Sequence, residues 1–332
     1  MVTVPKMLKK LLFRKLSARY PIVLKMKNKR FLQYWMLILP VLMLLLSGYV
    51  FNYNGLTALK SYGDQPTYKV YALDLPDTLA FANEKIPLSA PDLRERMDRE
   101  LLVNTYWQSN MMLMLKRANK YFPTIEKILE AEEVPLDFKY LAVIESGLSN
   151  AISPAGAKGF WQIMRTTGRE YGLEINNNVD ERYHIELSTQ MAAKYLKKAK
   201  KKLGSWTLAA ASYNRGISGI QRNLDRQQVD SYFDLRLGSE TSRYVFRILA
   251  VKEIIENPSK YGYVFDKSDL YQAPPVHVHG LDTAITNLAT FAKKMGINYK
   301  ILKIHNPWLL ENHLNNKSRK YYEVAIPEAG YY

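Results

Sequence analysis

The sequence predicts a mainly α-helical protein with an apolar membrane-spanning segment near its N-terminus and a small α+β module at its C-terminus. Three observations carry that prediction. Between Arg94 and Pro258, apolar residues recur three and four positions apart in stretches punctuated by Pro and Gly, the pattern of packed helices. Residues 31–51 contain no charged side chain and are mostly apolar, enough to cross a bilayer as a helix. Beyond Val276 the pattern changes to strand, helix, helix, strand. The expected organisation is a basic tail (1–30), an anchor (31–51), a tether (52–95), a helical domain (96–265) and a C-terminal module (266–332).

Charge narrows the choice of partners. The chain of 332 residues holds 47 Lys and Arg against 31 Asp and Glu, and ten of those basic residues lie before residue 31 with no acid among them. That leaves 37 basic against 31 acidic residues for everything else, a mildly basic body with no nucleic-acid motif. Placing the basic tail ahead of the apolar run orients the chain with its N-terminus in the cytoplasm and the remainder outside. A cleaved signal peptide is the competing reading, although Leu46-Ser47-Gly48 makes a poor cleavage site. Met26 is an alternative start that would remove most of the tail. The absence of cysteine excludes disulfides, thiolate metal sites and a lipid on an N-terminal Cys.

Taken in order, residues 52–95 lack a sustained period and read as a tether, with a strand near Tyr68-Lys69-Val70-Tyr71. Arg94 to Lys120 reads as one long helix, whose Met111-Met112-Leu113-Met114 run suits gap-filling core. Pro123 is expected to open the next helix, Thr124–Glu132. A helix over His184–Leu203 has its apolar stripe at Leu187, Met191, Tyr195 and Leu196 and ends in a lysine run that complements the helix dipole. Ser205 and Ser239 are expected to cap the two helices that follow. In the module, Asp282 is expected to cap a helix to Lys294, Tyr299–His305 to form another, and Tyr322–Ile326 to close it as a strand. His277 and His279 share a strand face, but no third ligand accompanies them and no metal site is expected.

Residues 137–167 hold the chemistry. Phe138, Leu141 and Leu148 mark one face of a short helix, and Glu145 lies on that face. A carboxyl among apolar side chains is driven towards its protonated form, which suits proton donation to a leaving oxygen. The plain alternative is a half-exposed Glu at a helix end. Gly147 breaks the helix, Ser153-Pro154-Ala155-Gly156 forms a loop, and a second helix is expected from Trp161-Gln162 to about Gly172.

Glu145-Ser146-Gly147-Leu148-Ser149-Asn150, followed by Ser153-Pro154-Ala155-Gly156-Ala157-Lys158-Gly159-Phe160-Trp161-Gln162, resembles the signature of the soluble-lytic-transglycosylase domain. Two later blocks match in the same order: Ala211-Ser212-Tyr213-Asn214-Arg215-Gly216 and Glu240-Thr241-Ser242-Arg243-Tyr244-Val245. The resemblance is to the membrane-bound, D-type members, with Phe160 where relatives often have Leu and Ile163 where Phe is common. It implies a lysozyme-like fold acting on peptidoglycan glycan strands without a cofactor. Glu145 would protonate the bond between N-acetylmuramic acid and N-acetylglucosamine, then deprotonate the sugar's own C6 hydroxyl to close a 1,6-anhydro ring. The resemblance also implies substrate-binding roles for Ser146, Ser153, Gln162, Tyr213 and Asn214, with Tyr244 holding the catalytic carboxyl. For Ser146 a helix-end hydrogen bond, and for Tyr213 plain core packing, remain open. Glu240 is expected to be a structural hydrogen-bonder. The C-terminal module, through Gly296-Ile297-Asn298-Tyr299 and His305-Asn306-Pro307, resembles a divergent LysM-like wall-binding module. Two rivals remain open. One is a hydrolase like goose-type lysozyme, with a second acid at Asp180 or Glu181; the other is an inactive wall-binding protein.

Overall fold

The computed structural model describes residues 70–328 and Gly330. The predicted anchor at 31–51 and the basic tail lie outside the described residues, among which no helix is long and apolar enough to cross a membrane. Chain from Ala72 onward forms one unit.

That unit begins with a two-residue hairpin, β1 (Ala80–Phe81) and β2 (Glu84–Lys85). Ala82 and Asn83 at its tip both take left-handed backbone angles (φ 51° and 64°), the geometry a tight hairpin demands. Eight helices follow: α1 (Pro91–Tyr106), α2 (Gln108–Ala131), α3 (Lys139–Ser146), α4 (Arg165–Glu170), α5 (Ile185–Leu203), α6 (Trp206–Arg215), α7 (Ile217–Gln227) and α8 (Ser239–Glu256). α8 is the central element, packing against α1, α3 and α6. It buries Val245, Phe246, Ile248, Leu249 and Val251 almost completely, so it is apolar around most of its circumference. The last segment pairs β3 (Val276–Leu281) antiparallel with β4 (Tyr322–Pro327) around α9 (Leu288–Lys294) and α10 (Tyr299–His305). Its own core includes Leu288, Leu302, Trp308 and Val324, with Val179 of the helical region inserted among them.

Several expected boundaries move. The Arg94–Lys120 helix is two helices, because Trp107 leaves the helical region (ψ 56°). Its N–H still bonds Val103 O and its carbonyl starts α2, so the chain turns without orphaning backbone groups. Pro123 lies inside α2 instead of opening a helix. The helix survives the missing donor because buried Ile125 and Leu129 hold the following turns against the core. The helix expected from Trp161 starts only at Arg165, since Gln162 takes a left-handed φ of 46°. Ser239 is the first residue of α8 and Gly238 its cap. Asn287, not Asp282, caps α9 by accepting from Thr290 N. The strand expected near Tyr68–Tyr71 does not extend to Val70 or Tyr71, and α7 was not anticipated. Other expectations hold. Ser205 accepts from Leu208 N at the start of α6, and β3, α10 and β4 lie where the pattern put them.

The hairpin is tied to the site-bearing helices by carboxylates. Glu84 accepts from Thr207 N (2.8 Å), Thr207 Oγ1 (2.9 Å) and Trp206 N at the first turn of α6. Asp137, just before α3, accepts from Ala82 N and from Lys252 Nζ on α8, both at 2.7 Å. A carboxylate on the orphan N–H groups of a helix both satisfies donors and complements the dipole. Replacing Glu84 by Ala should therefore cost about 1–2 kcal/mol, the range of a lost helix cap, seen as a lower urea midpoint with an unchanged slope.

Candidate active site

Glu145 sits one residue from the end of α3, whose buried Leu141, Ala142 and Val143 fix the helix in the core. Gly147 ends it with a left-handed φ of 59°, and the Gly147 carbonyl is held by Arg117 Nη1 of α2 at 2.9 Å. The Glu145 side chain is half-buried and receives a short hydrogen bond from the Tyr244 hydroxyl to Oε1. Burial drives its pKa up; the Tyr244 bond and the Arg247 charge pull it down, Glu240 adds to the rise, and the net shift is upward. The Tyr244 hydroxyl is itself held well above the usual tyrosine range by burial and by Glu145, so it stays protonated and donates. With Oε1 accepting, the proton of the neutral carboxyl falls to Oε2, which no other side chain among the described residues bonds.

Glu240, Tyr244 and Arg247 recur four and three apart on α8, so one helical face supplies the groups that tune the carboxyl. Arg247 also fixes the backbone beside Glu145, donating to Ile144 O at 3.0 Å. Asn214, at the end of α6, donates to Glu240 Oε1 (3.0 Å) and accepts from Thr241 Oγ1 (2.7 Å), which ties α6 to the start of α8. Tyr213 donates to Trp161 O at 2.8 Å, and its pKa is held well above the ordinary value by burial and by the nearby Glu145.

The 153–163 loop is folded on itself and braced from behind. Ser153 Oγ accepts from Ala157 N at 3.0 Å, and isolated bridges join Ile152, Lys158 and Ile163. Ser146 donates to Phe160 O at 2.8 Å, and Gln162 Nε2 donates to Ala151 O (3.1 Å) and Gly159 O (2.9 Å). Two backbone carbonyls fix which end of that amide points inwards, and its carbonyl oxygen remains able to accept from a ligand. Trp161 is fully buried with Nε1 on Thr189 Oγ1 at 2.9 Å. Behind the loop, Arg182 donates to Gly156 O and Ile163 O while pairing with Asp180 through Nε (2.8 Å) and Nη2 (2.7 Å).

The structure thus gathers Glu145, Tyr213 and Tyr244 into one cluster and sets Asn214 at the same end of α8. Ser146 and Ser153 are committed to the backbone of the loop instead of the carboxyl. Asp180 is no free base: burial pushes its pKa up, but Arg182 and Lys158 more than offset this and hold it below the usual carboxylate range. Glu181 is likewise occupied, by Glu174 N and Lys320. Three contributors escaped the sequence reading. Arg247 was legible as the residue one turn past Tyr244. Arg117 and Arg182 act on backbone carbonyls 30 and 19–26 residues away, for which no local pattern exists.

A half-buried carboxyl held by a tyrosine beside a braced loop, on a helical scaffold, is an arrangement of the lysozyme-like kind. Residues 123–234 match the transglycosylase SLT domain family, and residues 279–330 match the soluble lytic transglycosylase C-terminal LysM-like domain. The chain is similar to the membrane-bound lytic murein transglycosylase D of Escherichia coli strain K12, and equally to that of Escherichia coli O6:H1. Each is 28% identical over 262 residues, covering 76% of this chain and 56% of the relative. The chain thus spans little more than half the length of these curated relatives.

Gly159 tests the brace. Its φ is +78°, and a Cβ there would stand 2.0 Å from the Arg182 carbonyl oxygen, a backbone atom that cannot swing aside. Gly159→Ala should displace the loop and lower stability by more than about 2 kcal/mol. Gly156→Ala, also at positive φ but with no atom within 4 Å of its Cβ, should cost less. Thermal unfolding of the two variants measures the difference.

Proposed function

We propose that the protein is a peptidoglycan lytic transglycosylase in which Glu145 acts alone, first as general acid and then as general base. The observation that carries this reading is a half-buried carboxyl with a raised pKa and a permanent hydrogen-bond donor on one oxygen. Neutral Glu145 would protonate the glycosidic oxygen between N-acetylmuramic acid and N-acetylglucosamine from Oε2. As that proton leaves, the Tyr244 bond becomes charge-assisted and Arg247 gains a carboxylate, so the developing anion is stabilised as it forms. The carboxylate would then take the proton of the muramoyl C6 hydroxyl as that oxygen attacks C1, giving the 1,6-anhydro end and restoring the acid. The substrate supplies its own nucleophile, so no second acid is required.

Gln162 and Asn214 would contact sugar through their amides, with Tyr213 and Tyr244 shaping the carboxyl's surroundings. Ser146 and Ser153 would act by shaping the loop, with the Ser153 hydroxyl still able to donate. The LysM-like region and the SLT domain support peptidoglycan as partner. The apolar run at 31–51, with its basic flank, supports a single-pass anchor and a catalytic domain on the extracytoplasmic side, with the C-terminal module beginning near residue 266. The hydrolase alternative needs a base to activate water, and the ion-paired state of Asp180 argues against it.

Mass spectrometry of purified peptidoglycan digested by the protein tests the reaction. Products ending in 1,6-anhydro-muramic acid are expected; reducing ends would assign the hydrolase instead. Glu145→Gln should lower the rate by about 10²–10⁴, the usual contribution of one general acid–base group. The alkaline limb of kcat/KM should report the raised Glu145 pKa, because the free enzyme must hold the proton. Arg247→Met removes a charge that favours the carboxylate and should move that limb to higher pH. Glu240→Gln removes a charge that disfavours it and should move the limb to lower pH. Equal shifts in one direction would contradict the assignment.

A further inference from the structure

A concavity of about 450 Å³ is lined by Arg165 and Arg169, which follow the 153–163 loop in sequence, and by Asn176, Asn177, Asn178 and Asn315. It contains two cations, four amides and no acid. The acids nearest in sequence lie outside the lining and are already paired: Glu170 with Lys198, and Glu174 with Lys320, Tyr322 and the amide of Asn176 behind the wall. The walls are fixed. Asn178 donates to His313 O (2.8 Å) and accepts from Asn315 N (2.7 Å), Asn176 Oδ1 accepts from Asn178 N and Val179 N (both 2.7 Å), and Arg169 Nε donates to Ile175 O (3.2 Å). The Arg165 guanidinium and the Asn177 amide make no hydrogen bond among the described residues and are exposed.

We propose that this pocket binds the carboxylate of a peptide carried by the glycan strand, so that the site prefers peptide-substituted muramoyl units. A fork of guanidinium donors with unopposed positive charge matches a carboxylate, and the flanking amides match peptide N–H and C=O groups. Position supports the same partner. Arg165 follows Gln162 by three residues, which puts it within about 10 Å of the loop that faces the sugar, and muramic acid carries its peptide on a lactyl arm projecting from the ring. Asn315 comes from the LysM-like region and Arg165 from the SLT domain, so the pocket exists only because the two are docked. The inference rests on peptidoglycan as substrate, but its test does not depend on cleavage.

The experiment titrates the full chain carrying Glu145→Gln, and the same chain with Arg165→Gln, by calorimetry. The probes are N-acetylmuramyl-L-alanyl-D-isoglutamine, which bears a carboxylate, tri-N-acetylglucosamine, which does not, and inorganic phosphate. Loss of one charge-assisted hydrogen bond should weaken the muramyl dipeptide about tenfold or more and leave the neutral trisaccharide unchanged. Arg165 makes no hydrogen bond among the described residues, so the variant should keep the parent's melting temperature. Equal affinity of both chains for the muramyl dipeptide, equal losses on both saccharides, or phosphate binding as tightly as the dipeptide would each overturn the proposal. The anhydro-product assay on the wild-type chain decides the catalytic reading separately.

Discussion

The hydrogen bond from Tyr244 to Glu145 is the constraint on which the rest of the structure turns. A half-buried carboxyl one residue from a helix end would otherwise point to solvent or adopt several rotamers. Tyr244 is 1% exposed and lies in the second turn of the central helix α8, so its hydroxyl is a fixed point. Holding Glu145 to that point requires α3 and α8 to pack in one register, and the ties on either side serve it. Asp137 bonds Lys252 at the start of α3, and Arg247 bonds Ile144 O near its end. The same contact sets the carboxyl's electrostatics: it occupies one oxygen as an acceptor, while burial raises the affinity of the group for a proton.

The opposite wall of the site obeys a different logic, since it is made of loop. Backbone polar groups in a loop must be satisfied without a regular ladder, and here side chains perform that task. Ser146, Gln162, Tyr213 and Arg182 all end on carbonyls of residues 151–163. The buried Asp180–Arg182 pair is the foundation of that set. Its geometry is bidentate, and Arg182 retains donors for two carbonyls, so the desolvated charges are both paired and used. A residue that reads as a second acid in sequence is thereby a support for the loop. How the loop is held therefore ties Asp180 into an ion pair, while Glu240 on α8 is the second carboxylate whose charge reaches Glu145.

What was legible in the sequence follows the range of the forces involved. The Glu145 helix, its stop at Gly147, the Ser205 cap, α10 and both strands of the final sheet are set by interactions within a few residues, and each announced itself. Pro123 and Trp107 misled for the same reason in reverse. The rule that Pro opens helices holds for an isolated segment, whereas here tertiary burial of Ile125 and Leu129 carries the helix through. Periodicity ran across Trp107 because the break costs no backbone hydrogen bond and therefore needs no Gly or Pro to mark it. Of the residues named by motif, Glu145, Tyr213 and Tyr244 come together in the fold and Asn214 bonds the neighbouring Glu240, while Arg247 was within reach by helical spacing. For Ser146 the helix-end alternative is the bond that forms, to Ala142 O at 3.2 Å, whereas the Ser153 partner was not legible, because a hydroxyl beside a turn serves backbone and ligand equally well until the neighbouring groups are placed.

The C-terminal region shows how a module that looks appended in sequence becomes part of one body. Val179 enters its apolar core, Asp180 N bonds Trp308 O, and Lys320 and Tyr322 converge on Glu174 and Glu181. Every one of those helical-domain contacts comes from residues 174–181, the segment that leads into the Arg182 brace. The docking surface and the support of the catalytic loop are therefore the same stretch of chain. Glu174 illustrates the coupling: burial alone would raise its pKa, yet the Lys320 and Tyr322 bonds reverse this and hold it low. Its contribution is present above the ordinary carboxylate range and fades as pH falls through the depressed value. Acid would thus weaken the Glu174 bonds to Lys320 and Tyr322, at the stretch of chain that also leads into the Arg182 brace.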